Sequence, residues 1–192
     1  MIGHARILSE LSWVVKHSPA DATSICAHAQ VRRVSRFAYA AIHQDLLQES
    51  LTVYVKTIVH HRVGVAVTDT LERASLRRTL RSALEIARHA PQTKDLAPLP
   101  GPAEHITSQD YVPQTAQVPP QYILGILRRL FQLCQGVDAT LAGSFVVGED
   151  ELAVVNSQGA ACYAASTVAG AKLVTMYRRL SGFASGVNRH LD

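Results

Sequence analysis

The side chains best suited to metal or acid–base chemistry are nine histidines, at positions 4, 17, 28, 43, 60, 61, 89, 105 and 190, and three cysteines, Cys26, Cys134 and Cys162. No two of these histidines stand three or four residues apart, and neither His-Glu-x-x-His nor His-Glu-x-x-x-His occurs. A helix-borne metal site needs that spacing, because only then do two imidazoles leave one helix face toward one ion. The chain therefore offers no helix-borne pair of histidines for a metal ion.

Closer pairs carry weaker signals. Cys26 and His28 would share a strand face and offer two ligands; two ligands do not make a site, and a partly buried thiol beside a surface histidine is the favoured reading. His60 and His61 would point to opposite faces of a strand or sit in its turn, and exposed turn residues are favoured. His43-Gln44, with Arg36 in the same stretch, forms a candidate contact for a peptide or a partner subunit. The alternative there, and the favoured one, is a hydrogen-bonding pair that fixes a strand crossing. Ser181 to Gly186 is rich in glycine like a phosphate cradle, but it lacks the Gly-Lys-Ser/Thr ending and a following helix, so it reads as a flexible exit segment. No Gly-x-Ser-x-Gly elbow occurs, Cys134 and Cys162 lie in core patterns, and no nucleophile, base and orienting group can be named together.

The elements that must carry these residues follow from periodicity. Ile7, Leu8, Leu11, Val14 and Val15 are spaced for a helix over about 4–17, stopped at Ser18-Pro19. From Thr23 to Val67 the chain turns to β character, with Thr52–Val59 and Val63–Val67 forming a hairpin around His60-His61-Arg62. Asp69 and Glu72 resemble a capping box ahead of a helix over about 71–89, whose stripe is Leu76, Leu80, Ala83, Leu84 and Ala87. Its outer face carries arginines, with Glu85 four residues after Arg81. Seven of the eight prolines fall between Pro91 and Pro120, which marks a linker or extended crossing. A second helix follows Pro119-Pro120, with Ile123, Leu127, Leu130 and Cys134 on one face and Gly136 at its end. The tail reads as a meander: Leu141–Val147, a turn at Gly148-Glu149-Asp150, Leu152–Val155, a turn at Asn156–Gly159, then Ala160–Val168 and Ala171–Tyr177. The expected class is α+β: antiparallel sheets with packed amphipathic helices. Two similar halves, about 1–90 and 119–180, joined by a proline-rich linker over about 91–118, are one option within it.

Composition bounds the function. With 192 residues, 47% hydrophobic and 18% charged, the chain can bury a real core as one domain or two small sublayers. Its charge of +4 comes from 19 basic and 15 acidic residues, clustered at Arg32, Arg33 and Arg36 and along Arg73, Arg77, Arg78, Arg81 and Arg88. Such clusters can meet phosphate or an acidic partner, and a solvated helix face is the favoured reading. With 6% aromatic residues and no reader motif, nucleic acid is disfavoured as a partner. Few, odd-numbered and distant cysteines fit a reducing compartment. No apolar run approaches the roughly 18 residues of a membrane span, and the first helix, bearing Glu10 and Lys16, does not read as a signal peptide, so a cytoplasmic location away from the membrane is expected.

Five stretches occur in a telling order: Arg36-Phe37-Ala38-Tyr39-Ala40-Ala41-Ile42-His43-Gln44, Arg62-Val63-Gly64-Val65-Ala66-Val67-Thr68, the Leu76–Arg88 helix, Leu99-Pro100-Gly101-Pro102, and Leu152-Ala153-Val154-Val155-Asn156-Ser157-Gln158-Gly159. Together they resemble the N-terminal domain of the TldD/PmbA family, described as zinc metalloproteases that act as homodimers or paired sister subunits. The resemblance spans nearly the whole chain and rests on the order of the motifs, each of which alone is ordinary strand and turn chemistry. It implies a single N-terminal-like domain over 1–192, with the zinc helix, its His-Glu-x-x-x-His motif and a later cysteine ligand lying downstream. No catalytic residue carries over and no cofactor is expected in this chain; zinc belongs to the full-length family. The implied role is non-catalytic, supporting dimer assembly and the access of peptide or unfolded protein substrate to a zinc site elsewhere. The alternative is a stand-alone binding or regulatory module that pairs with a full-length relative.

Overall fold

Apolar spacing of 3.6 residues in some stretches and β-branched runs in others give an alternation of helices and long strands. The computed structural model describes residues 1–102 and 110–191. In chain order its elements are α1 (His4–Lys16), β1 (Ala22–Ala38), β2 (Ala41–Val59), β3 (Arg62–Thr68), α2 (Arg73–His89), α3 (Pro113–Ala116), α4 (Pro120–Gln135), β4 (Thr140–Asn156), β5 (Ala161–Tyr177) and β6 (Leu180–Asn188). The strands form a six-stranded antiparallel sheet in the order β3-β2-β1-β4-β5-β6, so the chain is α+β. The β1–β2 and β2–β3 connections are two-residue turns at Tyr39-Ala40 and His60-His61, all four with positive φ. That backbone matches the right-handed twist of the paired strands, and here it is adopted without glycine.

Contacts divide the chain into two compact units. Unit 1 comprises residues 1–30, 50–107 and 150–165; unit 2 comprises 31–49, 108–149 and 166–192. These are not the halves 1–90 and 119–180: β1, β2, β4 and β5 each give one segment to either unit, so strand pairing rather than chain order sets the grouping. The proline-rich stretch is also not wholly extended, because Pro113–Ala116 closes the short helix α3, and its residues 103–109 lie outside the described residues.

In unit 1 the helical stripes meet the inward residues of the strands. Ile7, Leu11 and Val14 of α1 and Leu76, Leu80, Ala83 and Leu84 of α2 pack with Ile25, Ala27, Val53, Val55, Ala153 and Val155. The α2 stripe is buried as its spacing requires, but its start differs: helix begins at Arg73 after Glu72, with no side-chain cap, and the Thr70 hydroxyl accepts the Glu72 amide at 3.2 Å. Asp69 lies too far ahead to cap, since residues 69–72 are used in leaving β3. In unit 2, Ile123 and Leu127 of α4 pack with Phe37, Leu141, Val147 and Ala169, and Phe131 meets Phe37 edge-on at 5.7 Å. Pro120 starts α4, where its missing N–H has no partner to lose.

Two expected breaks are absent. Gly148-Glu149-Asp150 runs inside β4, where the carbonyl of Val31 lies 2.1 Å from the place a Gly148 Cβ would occupy, so the glycine serves close strand approach rather than a turn. β5 is likewise one strand through Val168-Ala169-Gly170. The Ser181–Gly186 segment is not an exit loop: it lies in β6, paired in register with β5 from Tyr177↔Leu180 to Ala169↔Asn188.

Candidate functional site

Arg36, His43 and Gln44 are brought together at the tip of the β1–β2 hairpin in unit 2. Arg36 donates to the Gln44 side-chain oxygen at 3.2 Å, and His43 donates from Nε2 to the Ala38 carbonyl at 3.1 Å. All three residues are exposed, and Tyr39 in the turn is 76% exposed. A shallow cleft of about 230 Å³ beside the turn is lined by Tyr39, Phe131, Cys134 and Leu141, among others. The tip thus combines a fixed polar surface with an outward aromatic ring, a geometry for contact rather than for bond-making.

The hairpin carries one charged clasp below its tip. Arg33 Nε donates to Asp45 Oδ1 at 3.2 Å and Ser35 donates to the same oxygen at 2.9 Å. The Arg33 hydrogen bond holds the Asp45 carboxyl below the ordinary carboxylate range, against partial desolvation and with help from Ser35. Because the folded value is the depressed one, the clasp stabilises the hairpin above the ordinary carboxylate range and is lost as pH falls through the folded value. Amide protection at the tip, taken relative to the intrinsic exchange rate at each pH, is expected to fall on that acidification, and Asp45→Asn to remove the acid limb. The same acid limb in both proteins would assign it to another group.

The remaining sequence candidates do not assemble chemistry. Cys26 and His28 do share a face of β1, but His28 Nε2 lies 3.3 Å from Asp150 and Gln30 donates to the same carboxylate at 2.7 Å. Burial pushes the Cys26 thiol up, away from the thiolate. Among the described residues, no three of His, Cys, Asp and Glu converge as metal ligands. A zinc implied by the family resemblance therefore has no donor set among them. His60 and His61 are exposed turn residues, with the His60 amide held by Asp21. Cys134 and Cys162 are half-buried, less enclosed than the core pattern implies.

Sequence reasoning missed two open sheet faces. In unit 1 the helices cover the side of Val53, Val55, Ala153 and Val155, so alternation turns Tyr54 and Leu152 the other way. Tyr54 pairs with Val67, Lys56 pairs with Val65, and Tyr54, Val65, Val67 and Leu152 are all exposed. In unit 2, α4 covers the side of Leu173, leaving Val174 and its partner Phe183 outward, with Met176 and Val187. Phe183 is 69% and Val187 76% exposed, and every residue of β6 is exposed. Large apolar side chains gathered on bare sheet faces mark surfaces meant to be covered. The one sequence signal was the period-two placing of Phe183, Ser185 and Val187, hidden by the surrounding glycines and serines.

Together these features define a helix-and-sheet domain with open apolar faces and, among the described residues, no cluster of metal-ligating side chains. No family model and no curated protein matches the chain by sequence. By fold it is similar to TldE from Thermococcus kodakarensis, with a TM-score of 0.81 at 16% identity over 97% of this chain and 44% of that one. A proposed modulator of DNA gyrase from Bacteroides thetaiotaomicron matches at 0.79 and 16% identity, over 100% of this chain and 46% of the other. Another proposed gyrase modulator, from Thermotoga maritima, matches at 0.74 and 13% identity, over 88% and 40%. The resemblance to TldD/PmbA proteins thus holds as a likeness of fold, and the chain spans less than half the length of the solved chains it matches.

Proposed function

We propose that this chain is a non-catalytic, N-terminal-type domain of a TldD/PmbA-like metalloprotease, supporting dimer assembly and the access of peptides or unfolded protein to a zinc site outside residues 1–192. The observation that carries the reading is the fold likeness over 97–100% of this chain to two proteins of which it covers 44–46%. The open faces at Tyr54, Val67, Phe183 and Val187 support it, since a second domain or subunit would cover them. The partner in this reading is a second copy or a paired sister subunit, with Arg36, His43 and Gln44 at the contact, in the cytoplasm. Among the described residues no helix is long and apolar enough to cross a membrane.

The test is made on purified residues 1–192, by measuring zinc by atomic emission and cleavage of unstructured peptides. The expected result is no stoichiometric zinc and no cleavage, with self-association through the open faces. One zinc per chain together with chelator-sensitive cleavage would overturn the reading.

A further inference from the structure

Helix α2 bears a charge arrangement that its own fold does not neutralise. Helices α1 and α2 together carry seven basic and two acidic residues, a net +5, while the whole chain is +4, so everything else sums to −1. Arg73, Arg77 and Arg81 form one i,i+4 row along the exposed side of α2, with Arg78 beside it. Arg73 is held by Glu10 at 2.8 and 3.3 Å and lies over the Trp13 ring at 5.4 Å. Arg78 bonds to the Ser75 hydroxyl at 2.7 Å. Glu85, placed one turn beyond Arg81, is engaged instead by Arg88 at 3.2 Å and His89 at 2.9 Å. Among the described residues, Arg77 and Arg81 have neither a hydrogen-bond partner nor an ion-pair partner.

This arrangement works against the helix. Like charges at i,i+4 repel, and arginines in the first turns of α2, which hold no acidic residue, oppose the helix dipole. The cost is borne on a face that contributes nothing to the core, as expected of a surface kept for a ligand. The one carboxylate held by this row, Glu10, is taken by Arg73.

We propose that the Arg77–Arg78–Arg81 face of α2 docks an acidic polypeptide segment in extended form. Arg77 and Arg81 stand about 6 Å apart, one helical turn. Alternate side chains of an extended chain repeat at about 6.7 Å, so two glutamates two residues apart meet both guanidinium groups, each able to grip a carboxylate with two N–H donors. The proposal is independent of the zinc-protease reading, because it needs only this helix.

The test uses the whole 192-residue chain and a fluorescein-labelled peptide of alternating glutamate and serine, followed by anisotropy at low and moderate salt. Binding that weakens with salt is expected, with Arg77→Gln/Arg81→Gln lowering affinity about tenfold, because exposed ion pairs are screened and few. Arg128→Gln/Arg129→Gln removes the same charge from the exposed side of α4 and is expected to change affinity less than about twofold. Equal losses in the two variants would reduce the effect to bulk charge and overturn the proposal. So would absence of peptide binding, or tighter binding of a duplex DNA or RNA oligonucleotide that is lost in Arg77→Gln/Arg81→Gln, which would make the face a phosphate-backbone reader. Unchanged circular dichroism keeps each variant interpretable.

Discussion

Replacing Glu151 with alanine is expected to detach α1 from unit 1 and to lower stability by about 3–5 kcal/mol, the range for breaking a buried charged network. The side chain is 2% exposed, yet its carboxylate accepts three hydrogen bonds: from the Ile2 amide at 2.6 Å, the Gly3 amide at 2.8 Å and the Tyr163 hydroxyl at 2.8 Å. Gly3 is the N-cap of α1 and has no side chain to cap the first turn. Glu151, 148 residues from it, instead takes the amides of Ile2 and Gly3 just ahead of that turn, placing a carboxylate at the positive end of the helix dipole. The alanine leaves buried donors without acceptors. Glu151→Gln keeps the shape and one acceptor oxygen, and is expected to cost about 1–2 kcal/mol. Urea unfolding followed by Trp13 fluorescence measures both, because Trp13 rides on α1. A loss below about 1 kcal/mol for the alanine would show that the apolar stripe alone holds the helix.

Gly64→Ala is expected to be as damaging by a different route. A Cβ on Gly64 would lie 2.0 Å from the Ala83 carbonyl oxygen, 2.5 Å from the Ala87 amide nitrogen and 3.0 Å from the Ala87 Cα. All three are backbone atoms of α2, so no rotamer change relieves the clash and the whole helix must lift from β3. The expected cost is about 3 kcal/mol or more, at the upper end for overpacking a core. Gly186→Ala, in β6 with nothing within 4 Å, is the matched control and is expected within about 0.5 kcal/mol of the parent. Equal stability of Gly64→Ala and Gly186→Ala in thermal unfolding would mean that α2 does not rest on β3 at this distance.

These two sites also mark where the sequence was legible. The stripes of α1, α2 and α4 and the hairpin around His60-His61 could be read because each depends on a local period and on residues within one turn of each other. The setting of Gly64 was half visible, as a glycine alternating with valines in a strand. Glu151 was invisible, since its ligands are the amides of Ile2 and Gly3 at the far end of the chain. Turn chemistry misled at Gly148-Glu149-Asp150 and at Ser181–Gly186, where glycines serve strand crossing and an edge strand. At the candidate site, Arg36, His43 and Gln44 could be grouped because they share one hairpin. The open faces could not, because alternation says that Phe183 and Val187 point one way but not whether a helix lies there.

The interleaving of the two units bears on how the protein is made. Domains ordinarily collapse in order as they leave the ribosome. Here α1 emerges first but its sheet partners Ala153 and Val155, and the Glu151 carboxylate that tethers its start, belong to the last segment of unit 1, residues 150–165. Unit 2 begins at residue 31 and is completed only by residues 166–192. Neither core can close until most of the chain has been synthesised, so the nascent protein exposes its amphipathic helices for most of translation, and no single truncation yields either unit free of the other.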